Sequence, residues 1–167
     1  MSPPALLRIV GSPGSGKTLL IATLTEALRQ HGHRVASAVV RAEGATVVTM
    51  PNGGRVTVSR VLSASELRDV AASLDPNIGL LLAEGFEEAG FPAIELSSPG
   101  DPAPITAADD LLAMVASTQV GGDFAACGPG ETHGLADLIE ERVLATPRQT
   151  SESPKGRRGL FSRLRRG

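Results

Sequence analysis

Trp and Tyr are absent from this 167-residue chain, and Phe occurs four times. Proteins that read single-stranded nucleic acid stack bases on aromatic rings, so this scarcity argues against a nucleic-acid partner. A single cysteine, Cys127, excludes an internal disulfide framework and a zinc site built mainly on thiolates. No apolar run approaches the roughly 20 residues that cross a bilayer, which argues against integral membrane association. The opening MSPPALLRIVGSPG has too short an apolar stretch, and no basic flank, for a secretory signal. The expectation is a cytoplasmic protein. One further absence bears on chemistry. Between Gly85 and Glu141 there is no Lys or Arg, whereas a self-contained small-molecule kinase closes an arginine-bearing lid over the phosphoryl group it transfers.

What is present is aliphatic. Hydrophobic residues make up 41% of the chain, enough to bury one domain core without staples. Charge is unevenly spread. Residues 148–167 hold seven basic side chains against Glu152, a net of +6, which leaves nine basic and 17 acidic side chains, a net of −8, on the rest. The stretch PRQTSESPKGRRG cannot bury enough surface to offset its own ordering. The expected organisation is a nucleotide-binding domain over 1–145 and a disordered basic tail over 146–167. In that tail Leu160, Phe161 and Leu164 share roughly one helical face flanked by Arg, which suits docking on an acidic partner.

Periodicity predicts an α/β fold. Aliphatic or alternating runs at Ala5–Val10, Val35–Val40, Ala45–Met50, Arg55–Arg60, Ile78–Ala83, Ala93–Leu96, Leu111–Val115 and Phe124–Cys127 read as strands. Helical spacing appears over Thr18–Gln30, Ala64–Leu74 and Leu135–Leu144, with Ser63 or Ser65 as the cap of the second helix. Asp101–Ala108 reads as a loop or brief helix. Asn52-Gly53 between the third and fourth strands is a hairpin signal. Strands alternating with helices predict a three-layer sandwich of the P-loop NTPase kind, with a mostly parallel sheet and an added antiparallel hairpin.

Residues 11–18 read GSPGSGKT, a complete G-x-x-x-x-G-K-[ST] match with an aliphatic strand before it and an amphipathic helix after it. The chemistry explains each position. Gly11, Gly14 and Gly16, with Ser12, Pro13 and Ser15 between them, let the backbone curl so that amides point at phosphate oxygens. Lys17 reaches the β- and γ-phosphates, and the Thr18 hydroxyl ligates Mg²⁺. A turn that merely joined strand to helix would have to produce the spacing, the Lys, the Thr and both flanks by chance.

A second feature is Leu80-Leu81-Leu82-Ala83-Glu84-Gly85-Phe86, a buried strand ending in a carboxylate. Sites in open parallel sheets lie at the carboxyl ends of strands. Glu84 is therefore expected beside the phosphate loop, as a metal ligand or an orienter of water, rather than simply facing solvent. Glu43 follows the second strand, again at a carboxyl end, and is a weaker candidate. Asp109 precedes a strand and falls at the opposite edge. Glu87 and Glu88 are expected to be solvated. His31 and His33 read as surface residues and His133 as a loop residue near Glu131. Three scattered histidines give no metal-site spacing. Cys127 reads as a small buried hydrophobe. No carboxylate that would select guanine is evident, although Asp123 and Glu131 lie nearby in sequence.

GSPGSGKTLLIATLTEALRQHGHRV, then LLLAEGFEEAGFPAIELS and GLADLIEERVL, resembles the MobB family over roughly residues 6–144. The strand ending in Glu-Gly-Phe, followed by Pro92 and Ile94-Glu95, carries the resemblance more specifically than the phosphate loop. It implies weak GTP binding with Mg²⁺, slow hydrolysis and a homodimer. It also implies an accessory role to the guanylyltransferase that attaches a guanine nucleotide to molybdopterin. By position, Gly11, Gly14, Gly16, Lys17, Thr18, Glu84 and Gly85 match the family pattern, with Lys17 and Glu84 as the catalytic pair. The chain departs from it where the family often has Lys-His and this sequence reads Arg41-Ala42, at Glu87 where a basic residue is common, and in its basic tail. A nucleotide-dependent switch or scaffold without meaningful turnover remains open beside this reading.

Overall fold

The computed structural model describes residues 2–97, 100, 105–116, 125–127 and 131–145. Eight strands form one sheet: β1 (Ala5–Gly11), β2 (Val35–Val40), β3 (Thr46–Thr49), β4 (Arg55–Val58), β5 (Leu80–Glu84), β6 (Ala93–Ser97), β7 (Leu111–Ala116) and β8 (Ala125–Cys127). Three helices accompany them: α1 (Lys17–Gln30), α2 (Ala64–Leu74) and α3 (Thr132–Ile139), the last continuing as a π-helical turn over Glu140–Leu144. The strand order is β4-β3-β2-β5-β1-β6-β7-β8. Strands β2, β5, β1, β6, β7 and β8 are mutually parallel, and the β3–β4 hairpin adds an antiparallel edge. This is the expected three-layer arrangement.

Both faces of the central strands are covered, which is why they read as unbroken aliphatic runs. Leu7, Ile9, Leu80, Leu82 and Ile94 face one way and pack against Leu24 and Leu28 of α1 and Leu135 and Ile139 of α3. Leu6, Leu81, Ala83, Ala36, Ala38 and Val48 face the other way, against Leu67 and Ala71 of α2. Each fully buried Leu or Ile contributes about 1.5–3 kcal/mol. Parallel strands cannot be joined by tight turns, so α1, between β1 and β2, and α2, between β4 and β5, serve as crossovers that also cover the sheet.

The helix and strand boundaries differ from the expected ones for local reasons. Strand β5 starts at Leu80 because the Ile78 amide donates to Asp75 O and closes a turn, and it runs on to include Glu84. Strand β4 stops at Val58, where the chain leaves the hairpin: the buried Thr46 hydroxyl donates to Arg60 O at 2.9 Å and accepts from the Leu62 amide at 3.1 Å. Helix α3 begins at Thr132, so His133 lies in its first turn and not in a loop. Phe124, the tail over 146–167 and the side chain of Cys127 lie outside the described residues. So do the first four residues of the segment expected as loop or brief helix; its remainder, 105–108, is irregular.

Helix α2 is capped by Ser63. Its hydroxyl accepts from the Glu66 amide at 3.1 Å, and Glu66 accepts from the Ser63 amide at 2.8 Å, a reciprocal box. Glu88, expected to be solvated, is exposed yet accepts from the Ala64 amide at 3.0 and 3.1 Å, which satisfies another free donor of the same turn. Hydrogen bonds from Arg60 and from the Ser63 amide hold the Glu66 carboxyl down at about 2. A depressed folded-state pKa stabilises the fold above the ordinary carboxylate range, and that contribution is lost as pH falls through it. Two outcomes are expected from urea unfolding. Ser63→Ala lowers stability by about 1 kcal/mol. Glu66→Gln lowers the unfolding midpoint at neutral pH, and its gap to the parent narrows as pH falls from the ordinary carboxylate value of 4.5 toward about 2.

Candidate functional site

Strand β1 runs straight into the glycine-rich loop and α1 leaves it, so the loop sits at the carboxyl end of a central strand. Gly14 and Gly16 have φ of 76° and 96°, and a Cβ at Gly14 would meet nothing within 4 Å. The space above this turn is open to a ligand. Gly16 is the N-cap of α1, with no side-chain cap and no acidic residue in the first turn. The amides and the dipole of that terminus favour an anion. Ser15 Oγ is buried within the loop without a hydrogen-bond partner among the described residues. Lys17 Nζ donates to the carbonyls of Gly11 and Ser12, each at 3.0 Å, which holds the cation over the loop.

Sheet order decides the second half of the site. Strand β5 lies beside β1 with Ile9 in register with Glu84, which sets Glu84 next to the start of α1. Thr18 Oγ1 donates to Glu84 Oε2 at 3.1 Å, across 66 residues of sequence. The two groups expected to hold magnesium are thus in contact. Gly85 follows with φ of 86°, and a Cβ there would lie 3.0 Å from Val40 Cβ. The chain turns away from β5 through a left-handed conformation pressed against β2, and only glycine fits both demands.

A pocket of about 410 Å³ opens beside the loop, lined by Gly11, Lys17, Gly85, Phe86, Ile105 and Thr106. Its wall rests on two buried polar side chains, Arg8 and Glu95, that sequence reasoning did not single out as functional. Arg8 Nε and Nη2 donate to Phe91 O at 3.1 and 2.9 Å, and Nη2 lies 3.4 Å from Asp110 Oδ2. Asp110 also accepts from the Gly90 amide at 2.9 Å. Glu95, buried in β6, accepts from the Ile105 and Thr106 amides at 2.9 Å each. The signal in the sequence was a charge within each aliphatic strand, since such a group must find partners inside. Asp109 is exposed at the start of β7 and outside the pocket lining. Glu43 lies across α1 from that pocket, in a groove of about 680 Å³ shared with Thr18, Arg41 and Arg55. Asp123 lies outside the described residues.

The fold and the loop define a class: a P-loop-type α/β protein with a carboxylate at the end of the neighbouring strand. No protein-family model matches the chain, and no curated protein matches its sequence. Solved structures do. A MobB protein homolog from Bacillus stearothermophilus is similar with a TM-score of 0.58 and 19% identity, covering 82% of this chain and 99% of that one. A molybdopterin-guanine biosynthesis protein B (mobB) is similar with a TM-score of 0.55 and 24% identity, over 81% and 97% of the two chains. Bacillus subtilis MobB is similar with a TM-score of 0.61 and 19% identity, over 85% and 98%. The chain therefore has a MobB-like fold.

The Gly85 turn yields a direct test. Gly85→Ala combines left-handed strain of about 1–2 kcal/mol with crowding against Val40. It is expected to lower the unfolding midpoint in urea and to weaken nucleotide binding with it; an Ala variant as stable as the parent would show that the turn has slack.

Proposed function

We propose that this chain is a guanine-nucleotide-binding accessory protein of molybdenum cofactor biosynthesis, binding GTP with Mg²⁺ and hydrolysing it slowly. The observation that carries the reading is the Thr18–Glu84 contact at 3.1 Å beside the uncapped start of α1, on a MobB-like fold. Lys17 exchanges the Gly11 and Ser12 carbonyls for phosphate oxygens, with which a cation forms the stronger, charge-assisted bond. The first amides of α1 bind the same phosphates. Thr18 Oγ1 and Glu84 would hold the magnesium ion, which when bound offsets charge on the phosphates. The choice of GTP over ATP rests on the family resemblance.

Slow turnover is in keeping with the pocket. Its two cationic side chains among the described residues are Lys17 and Arg8, and Arg8 is committed to Phe91 O and Asp110. Among the described residues, no second cation lining it is left for charge that develops on the phosphoryl group. The proposed partners are a second copy of the chain and the molybdenum cofactor guanylyltransferase. Leu19 on the first turn of α1 is 70% exposed, and Ile105 at the pocket rim is 75% exposed. Large apolar groups beside the loop suit a protein partner. The basic tail over 148–167 is proposed to add an electrostatic, salt-sensitive attraction to it.

Calorimetry with GTP and Mg²⁺ tests the core of this reading. Lys17→Ala is expected to bind about 10–100-fold more weakly, the loss of one charged hydrogen bond, with an unchanged fold by circular dichroism. Glu84→Gln keeps shape and removes charge, and at saturating nucleotide it is expected to hydrolyse about tenfold more slowly, some 1.4 kcal/mol of barrier. Competition between GTP and ATP decides the base; an ATP preference overturns the guanine assignment.

A further inference from the structure

The end of α1 remote from the phosphate loop carries a second cluster. His31, Gly32 and His33 close the helix in a Schellman turn: the His33 amide donates to Leu28 O at 3.0 Å and the Gly32 amide to Arg29 O at 3.0 Å. Gly32 takes the left-handed conformation, with φ of 90°. The two histidines are thus held on a rigid turn, two residues apart. Facing them, Asp137 and Glu140 stand one turn apart, at the end of α3 and the start of the π-helical turn. Helices α1 and α3 pack through Leu24, Leu28, Leu135 and Ile139, which fixes the two ends relative to each other.

Both imidazoles meet one carboxylate oxygen. His31 Nδ1 lies 3.0 Å and His33 Nε2 2.6 Å from Glu140 Oε1. Ligand atoms of His31, Asp137 and Glu140 all lie within 4.8 Å of one another. The Asp137 carboxylate makes no hydrogen bond or ion pair among the described residues, and like charges three residues apart on a helix repel.

From the juxtaposition of His31, Asp137 and Glu140, with His33 set behind Glu140 as its hydrogen-bond partner, we infer a binding site for a divalent transition ion of the zinc class. Bonds of about 2.0–2.2 Å to nitrogen and oxygen separate neighbouring tetrahedral ligand atoms by about 3.3 Å. His31 Nδ1 and Glu140 Oε1 are 3.0 Å apart and the Asp137 carboxylate is within 4.8 Å of both, so side-chain rotations bring three ligand atoms to one ion and leave the fourth position to water. An imidazole with two carboxylates suits Zn²⁺, Co²⁺ or Ni²⁺, whereas Mg²⁺ takes oxygen ligands and keeps its water. The cluster is therefore chemically distinct from the Thr18–Glu84 pair. A bound ion would clamp the end of the phosphate-loop helix to α3.

The test is calorimetric titration of the full chain with Zn²⁺ alone in a background of excess Mg²⁺. One ion per chain is expected, and a thermal midpoint about 5–10 °C higher at about a hundred times the dissociation constant. His31→Gln and Glu140→Gln should each weaken Zn²⁺ binding by at least about 100-fold, more than the loss of an outer-shell partner costs. His31 is an exposed cap position, so His31→Gln keeps the test decisive if Glu140→Gln fails to fold. His133→Gln, Cys127→Ser and Lys17→Ala should leave Zn²⁺ affinity unchanged. Absence of saturable binding, equal affinity in His31→Gln and the parent, or loss of binding in Cys127→Ser overturns the assignment.

Discussion

Ile9 lies in register with Glu84 because β5, not the sequence-adjacent β2, takes the place beside β1. That pairing is the constraint behind the phosphate-loop end of the molecule. It sets the carboxylate at the end of β5 against the first turn of α1, where Thr18 meets it. It also brings the left-handed turn at Gly85 against Val40 of β2. Shifting β5 by one residue would send Glu84 to the opposite face and exchange the two aliphatic sets that now pack on α1 and α2. The contact between hydroxyl and carboxylate is thus held in place by two hydrophobic cores rather than by its own modest energy.

The same logic accounts for the charge-bearing residue types within the sheet. Arg8 and Glu95 stand in strands that are otherwise aliphatic, and each is almost wholly buried. Burying a lone charge is costly, so both are matched on the spot. Arg8 satisfies the Phe91 carbonyl and Asp110, while Glu95 gathers the amides of Ile105 and Thr106. These bonds shape one wall of the pocket next to Lys17.

Helix α1 links the two candidate sites on this chain. Its first turn is left uncapped, with Lys17 folded over the loop carbonyls. Its last turn is finished by a rigid turn whose two histidines converge on Glu140. One end is open to an anion and the other faces a pair of carboxylates. Between them Leu20, Ile21, Leu24, Ala27 and Leu28 hold the helix to the sheet, so an ion at either end acts on a body that is already packed.

The sequence by itself determined what depends on near neighbours. Strand and helix periodicity, the Asn52-Gly53 hairpin and the glycine-rich loop are set by residues within a few positions of each other, and each was legible; the cap of α2 was narrowed to Ser63 or Ser65, and the structure takes Ser63. Glu84 was legible as a strand-end carboxylate, because a buried run that stops at an acid and a glycine has few places to go. Strand ends were read less well, since Thr46 reaching Arg60 and Ile78 closing on Asp75 depend on where the chain turns. Only the tertiary structure decided which distant groups meet. Thr18 touches Glu84 across 66 residues, Arg8 finds Asp110 across 102, and His33 finds Glu140 across 107. The histidines looked unrelated to any ligand partner because their carboxylates lie on a helix near the far end of the domain. Local patterning dictates which elements form, but the order in which strands pair is chosen by how two cores close on both faces of the sheet at once, and that choice is made by the whole chain.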